Sequence, residues 1–290
     1  MNQEDVKIEV EPTPVAEVGT APVLREEACT VATVRRVAAM LDQDPDDVAS
    51  GQSLPRGWHF VLLAADTRRS ALRADGFPGL GVPMPDLGLP RLMLGGRTVS
   101  FRQDIPIGAT VVRSSAVRSI VRKTTASGPM AVVTLAHGLR IASQAEPAVV
   151  ETQTYLLLPP RPGGGSAPEV APTAPVRAAH LKTVVPDETL LFQYSALGFN
   201  SHRIHLDRDH ARKLEGFPDL VVNGGLTTLL LTEFLRRELG VTPAAIAVRH
   251  LAPLYCNRAV TLAADQVGNR WLMKAFDDQH RLAVDMEVDV

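Results

Sequence analysis

Apolar positions along the chain change their period twice, and the second half repeats the order of the first. From Thr30 the residues Val31, Val34, Val37, Ala38 and Leu41 recur at helical spacing. A second helix is predicted over 58–74, with Phe60, Leu63, Ala64 and Leu72 on one face. The following stretch, GFPGLGVPMPDLGLPRLMLGG (76–96), holds too many Gly and Pro residues for a regular element and is predicted as a long loop. Loops of that length inside a compact domain are more often functional than idle. From Arg97 the pattern turns to strands at 98–102, 110–123, 130–143 and 149–158, rich in Val, Ile and Thr and divided by turn signals such as ASGP at 126–129.

The second half supplies helices within 192–239 and strands at 245–251, 259–267, 270–277 and 282–290, with Gly268-Asn269 as a hairpin tip. Its last strand alternates, Val284, Met286, Val288 and Val290 on one face and Asp285, Glu287 and Asp289 on the other. Helices first and strands after, twice over, indicate an α+β fold with antiparallel sheet and a tandem duplication whose halves join into one unit. The stretch PPRPGGGSAPEVAPTAP (159–175) is a linker by composition. The expected organisation is a flexible tail at 1–22, a first domain at 23–158, a linker at 159–176 and a second domain at 177–290.

Composition narrows the function. The 290 residues carry a net charge of −2 without a basic tract, which argues against nucleic acid as a partner. No apolar run is long enough to span a bilayer, and the acidic start is unlike a signal peptide, so a cytoplasmic protein is expected. Cys29 and Cys256 stand far apart without metal-ligand spacing, which fits a reducing compartment. No P-loop, dinucleotide fingerprint or metal triad occurs, so neither a metal nor a redox cofactor is expected.

The chemistry concentrates between Phe192 and Leu231. Asn200, His202 and His205 lie within six residues, Asp207 follows, and Asn223-Gly224-Gly225 leads into a strongly apolar helix. A glycine pair at a helix entry leaves backbone N–H groups unshielded. The pattern reads as an imidazole facing a backbone oxyanion site. Asp207 could polarise a histidine or cap the helix that carries Arg208 to Leu214. His59, His137 and His250 read as structural or surface histidines, whereas Arg91, Arg97 and Arg203 could meet phosphates or a substrate carboxylate.

The segment YSALGFNSHRIHLDRDHA (194–211) resembles the signature of MaoC-like (R)-specific enoyl-CoA hydratases, in which a catalytic Asp precedes a catalytic His by five residues. Here His205 matches the His, Ile204 the aliphatic residue before it and Ala211 the small residue after it, while Asn200 stands at the Asp position. FNSHRIH, together with LPRGWHF, GFPGLGVPMP and LPRLMLGGRTVSF in the first half, is more similar to the double-hotdog branch, which includes hydroxyacyl-thioester dehydratases and itaconyl- or mesaconyl-CoA hydratases. The resemblance implies a double hotdog, two antiparallel sheets each wrapped around a long central helix. It implies a hydro-lyase that interconverts a 2-enoyl-CoA and a 3-hydroxyacyl-CoA, with a short branched or dicarboxylic acyl group as the expected substrate, without a cofactor and with an acyl-CoA and a second copy of the chain as partners. His205 would be the acid/base and Asn200 would orient water, since a carboxamide cannot act as a base; in a second reading His202 shares the load. Asn223, where many relatives have His, Gly224, Gly225, His202 and Arg203 would form the oxyanion and substrate site. The first half lacks an Asn/Asp and His five apart and would wall the pocket. A hotdog thioesterase and a non-catalytic acyl-CoA-binding protein are the competing readings.

Overall fold

The computed structural model describes residues 14–15, 21–125, 128–160 and 174–290. Most of the expected tail and linker lies outside these residues. Strands β1 (Pro14–Val15) and β2 (Val23–Ala28) precede helix α1 (Val31–Met40), which Thr30 caps by accepting from the Thr33 amide. Four long strands follow: β3 (Arg91–Phe101), β4 (Thr110–Thr125), β5 (Gly128–Ile141) and β6 (Val149–Leu158). The second half runs β7 (His180–Val184), α2 (Glu188–Leu197), α3 (Gly224–Glu238), β8 (Ala245–His250), β9 (Val260–Val267), β10 (Arg270–Phe276) and β11 (Leu282–Asp289).

Every pairing is antiparallel, and the strands form a single sheet in the order β1-β4-β5-β6-β3-β8-β11-β10-β9-β7, with β2 also on β4. Outward from the β3–β8 seam, one half reads β3-β6-β5-β4-β2 and the other β8-β11-β10-β9-β7. The connectivity is the same twice, as the duplicated pattern in the sequence requires. The two expected sheets are continuous, because β3 pairs with β8 from Gly96↔Arg249 to Ser100↔Ala245. Gly96 permits that approach, since a Cβ there would lie 2.5 Å from the Val248 carbonyl oxygen.

Helix α3 is the central helix of the second half. Leu226, Leu229, Leu231, Phe234 and Leu235 are all buried, so the helix is apolar on more than one side, as a helix enclosed by sheet must be. It stops before Gly240, which takes φ +66°. The first half is covered differently. Residues expected as a helix over 58–74 form a 3₁₀ turn at Trp58–Leu63 and a shorter one at Arg69–Ala71 within otherwise irregular chain. Arg113 accounts for the break: its Nη1 donates to the Ala64 oxygen at 2.8 Å and approaches the Leu62 oxygen at 3.5 Å, occupying carbonyls that a continuing helix would use. The Gly/Pro-rich loop beyond packs Phe77 and Leu89 onto Val117, Ile120, Val133 and Leu135, so loop rather than helix shields the outer sheet of this half. That loop ends at Pro90, six residues earlier than expected, where β3 begins. The short, half-exposed β2 and β7 carry no sequence signal. No described helix is long and apolar enough to cross a membrane.

Candidate active site

A cavity of about 420 Å³ opens between the Gly/Pro-rich loop, the turn after α2, the entry of α3 and the inner face of the first half's sheet. Asn200, His202, His205, Asn223, Gly224 and Gly225 all line it. Arg203, expected at the substrate, does not. Its guanidinium is turned to Asp207, at 2.7 and 3.1 Å.

His205 closes a 3₁₀ turn, Arg203–His205, and is buried. Its Nδ1 lies 2.7 Å from the Val221 oxygen. The Val221 amide in turn donates to Ile204 at 2.9 Å, so Val221 is held by two contacts with the turn that carries the imidazole. Burial pushes the pKa of His205 down to about 4, against the opposing effect of the Val221 carbonyl. The ring is neutral at physiological pH.

The Asn200 carboxamide oxygen accepts the His202 amide at 3.1 Å and tightens the turn, which leaves Nδ2 as the group free for a ligand. His202 packs edge-on against His205, with ring centroids 5.5 Å apart, and against Phe77 at 5.3 Å. Burial, then its histidine and arginine neighbours, lower its pKa to about 2; the Asp75 carboxylate, 3.6 Å from Nε2, does not offset this. The loop clamps this turn from the first half. Ser201 Oγ donates to the Gly76 oxygen at 2.6 Å and the Arg203 amide to the Asp75 oxygen at 2.8 Å. A Cβ on Gly76 would sit 2.4 Å from the Ser201 oxygen, at a φ of +76°.

The entry of α3 is uncapped. Asn223 makes no side-chain bond to the first turn; its Nδ2 reaches Ser195 Oγ at 3.3 Å and its Oδ1 is buried without a partner. The amides of the glycine pair are thus not shielded by a cap. What crowds the pair comes from outside the helix. A Cβ on Gly225 would meet the Tyr194 hydroxyl at 2.1 Å and Arg97 Nη2 at 3.3 Å, and one on Gly224 would meet His250 Cε1 at 3.2 Å.

The first half contributes more than a wall. Its strands present apolar residues inward at most alternate positions, interrupted by a polar row that steps from one inward position of β6 to the next: the register sets Arg97 of β3 beside Gln153 of β6, Glu151 of β6 beside His137 of β5, and His137 beside Ser115 of β4. Glu151 accepts His59 Nε2 at 2.8 Å and Gln153 Nε2 at 2.7 Å and faces Arg97 at 3.5 Å. Burial alone would raise its pKa, yet Arg97 and the His59 bond hold it at about 2. Burial likewise opposes the charge on Arg97, but Glu151 together with Tyr194 and Tyr155 more than offsets it, so the guanidinium stays charged. Tyr155 donates to Gln153 at 2.7 Å, and burial pushes its hydroxyl up to about 12. Arg97, Ser115, His137, Gln153, Tyr155 and Tyr194 all line the cavity.

With this geometry in place, comparison with known proteins decides the family. The family described as hydroxyacyl-thioester dehydratase type 2 matches residues 57–256, more than two thirds of the chain. The chain belongs to that family. It is a hydro-lyase of the hydratase/dehydratase kind, as its resemblance to MaoC-like enzymes implies. The mesaconyl-C(4)-CoA hydratase of Chloroflexus aurantiacus is 34% identical over 88% of this chain and 90% of its own. Among solved structures, a MaoC-like dehydratase from Phytophthora capsici superposes with a TM-score of 0.66 at 14% identity, covering 94% of this chain and 96% of its own. A conserved hypothetical protein of Mycobacterium tuberculosis described as a double hotdog matches with a TM-score of 0.54 at 13% identity, covering 93% and 95%. The fold is the double hotdog.

Several lining residues escape the sequence reading. His250, read as structural or surface, lines the cavity with Nε2 buried and unpartnered, and burial together with Arg97 lowers its pKa to about 3. His137 lines it too, hydrogen-bonded to Ser115 Oγ at 2.8 Å through Nδ1. Tyr194 opens the resembling segment without matching any catalytic position in it. A signal for the polar row exists: Glu151 and Gln153 take the same face as Val149 and Leu157, the buried face of an alternating strand.

Proposed function

We propose that the chain interconverts a 2-enoyl-CoA and its 3-hydroxyacyl-CoA, with a short branched or dicarboxylic acyl group of the mesaconyl or itaconyl kind. In hydration, Nε2 of His205 takes a proton from a water held by Asn200 Nδ2, and the water oxygen bonds to the β-carbon. The electron pair of the double bond moves toward the thioester oxygen as an enolate, where the amides of Gly224 and Gly225 and the positive end of α3 meet it. The enolate collapses as the imidazolium returns its proton to the α-carbon. Donors of this kind are worth roughly 3 to 4 kcal/mol in rate.

The observation that carries this reading is the position of Val221. Its carbonyl binds His205, and Gly224 follows three residues later, so one short segment holds both the imidazole and the helix entry. Three residues span at most about 10 Å. The mesaconyl-C(4)-CoA hydratase among the relatives favours the dicarboxylic substrate. The same reading needs no metal or redox cofactor, since every step is a proton transfer or an addition. It keeps the division at 23–158 and 177–290, and a cytoplasmic homodimer as the working form.

Purified protein mixed with mesaconyl-, itaconyl- and crotonyl-CoA is expected to bleach the conjugated enoyl absorbance of at least one. His205→Ala should slow that reaction by about 10²- to 10⁴-fold. Release of free thiol in place of a hydroxyacyl-CoA identifies a thioesterase, and tight acyl-CoA binding without product identifies a binding protein; either result removes the proposal.

A further inference from the structure

We infer that Arg97, with the Tyr194 hydroxyl beside it, reads a carboxylate on the acyl group. The inference rests on the acyl-CoA reading above and assigns the part of the site that distinguishes a dicarboxylic acyl group from a neutral one.

The Arg97 side chain is 10% exposed and lines the cavity. Its donors are divided. Nη1 faces Glu151 at 3.5 Å, and Nε is buried with no hydrogen-bond partner. Nε and Nη2 form the side edge of a guanidinium, the edge that takes a carboxylate through two parallel hydrogen bonds. Leaving a charged donor buried and unpaired costs stability, so an arrangement that does so next to a cavity is explained by an acceptor that arrives with the ligand.

Neighbouring groups agree with an anionic ligand. The Tyr194 hydroxyl and Arg97 Nη2 both crowd Gly225, at 2.1 and 3.3 Å from where its Cβ would be, so a phenol, a guanidinium and the uncapped first turn of α3 converge there. Burial raises the pKa of Tyr194, which keeps its hydroxyl a donor. Glu151 does not use up Arg97, because its own oxygens also accept from His59 and Gln153 at hydrogen-bond distance, 2.8 and 2.7 Å. Two other arginines that line the cavity are committed elsewhere: Arg91 to Glu215 at 2.8 Å, and Arg113 to Glu27 at 3.2 Å and the Ala64 carbonyl at 2.8 Å. A neutral acyl chain would gain nothing from this polar row and would leave Arg97 Nε desolvated and unpaired.

The test compares binding of succinyl-CoA and butyryl-CoA by calorimetry. Both have four acyl carbons, neither can be hydrated, and they differ in the terminal carboxylate. Wild-type protein is expected to bind succinyl-CoA about tenfold or more tightly than butyryl-CoA, the range of a hydrogen bond to a charged group. Arg97→Met should erase the preference, Arg97→Lys should keep part of it, and Tyr194→Phe should reduce it. A wild-type protein without the preference, or an Arg97→Met protein that retains it, overturns the inference. The wild-type comparison decides the matter even if Arg97→Met, which leaves Glu151 short of a partner, does not fold. Because neither ester can react by hydration, the preference is read independently of turnover. A selective protein that hydrates nothing would sink the hydratase proposal alone; a hydratase without selectivity would sink only the role of Arg97.

Discussion

The Nδ1 atom of His205 lies 2.7 Å from the carbonyl oxygen of Val221, and a carbonyl can only accept. The ring proton is therefore fixed on Nδ1 and the lone pair on Nε2, the tautomer that a general base requires. Burial lowers the pKa to about 4, so the base form is populated throughout the neutral range. For hydration, kcat/KM should stay level on the acid side until pH drops below about 5, then fall as His205 takes up a proton. An acid limb centred near 6.5, the ordinary value of imidazole, would show that His205 is not the base whose titration governs the reaction.

Stability should respond to acid earlier than the rate does. His202, His205 and His250 have folded pKa values lowered to about 2, 4 and 3. In the unfolded chain each titrates near 6.5, so below that pH the unfolded state binds more protons and is favoured. The stability present above about 6.5 is lost as pH falls, by up to about 1.4 kcal/mol per pH unit for each imidazole that remains neutral in the fold. The His205 share of that loss is complete near pH 4, where His250 and His202 still add to it. Glu151, held at about 2 against the ordinary glutamate value of 4.5, adds its own loss between those two pH values. Urea midpoints measured from pH 8 to 5 should decline, and less steeply in His250→Gln. A level profile over that range would mean these rings take up protons in the folded protein as readily as in the unfolded chain.

The strands and the chemistry of the second half were legible because their signals are local. The alternation in β11 places Val284, Met286 and Val288 in the core as read, although Val290, assigned to the same face, is 53% exposed beyond the strand's end. The Asn200 to His205 spacing and the glycine pair are likewise contiguous in sequence, and the fold brings all of them to one cavity. What was not legible depends on contacts across long separations. No periodicity reveals that Arg113 terminates the 3₁₀ turn at Leu63, or that the turn holding His205 is clamped by Asp75 and Gly76 more than a hundred residues earlier. The polar row required the strand register, since Arg97, Glu151, His137 and Ser115 come from four different strands. Taken singly, each looks like an ordinary strand residue.

Asp207 carries two readings, and its bonds favour one. Its Oδ1 accepts the His210 amide at 2.9 Å, an N-cap, and its Oδ2 accepts from Arg203. No histidine ring nitrogen is bonded to it among the described contacts, and it does not line the cavity. Asp207→Ala should lower the melting temperature by a few degrees through the lost cap while turnover stays within about threefold of wild type. A hundredfold loss of kcat with an intact fold would restore the reading in which Asp207 polarises a histidine.

Gly225 offers the sharpest test of how the helix entry is built. The Tyr194 ring stacks on Phe60, with centroids 4.7 Å apart and an interplanar angle of 21°, which restricts its retreat from an added methyl group. Gly225→Ala places Cβ 2.1 Å from the hydroxyl and 3.2 Å from Cζ, closer than any real contact in the first case and tight in the second. Overpacking of this kind should cost about 1 to 3 kcal/mol. Tyr194→Phe removes the worse of the two contacts, so the double variant should be more stable than the sum of the single changes, by about 1 kcal/mol in a denaturant cycle. Turnover should not recover with stability, because the new methyl group stays over the amides assigned to the enolate and Tyr194 has lost its hydroxyl. Strict additivity in the cycle would mean that Tyr194 gives way freely, and the glycine would then be required by the approaching substrate rather than by the tyrosine.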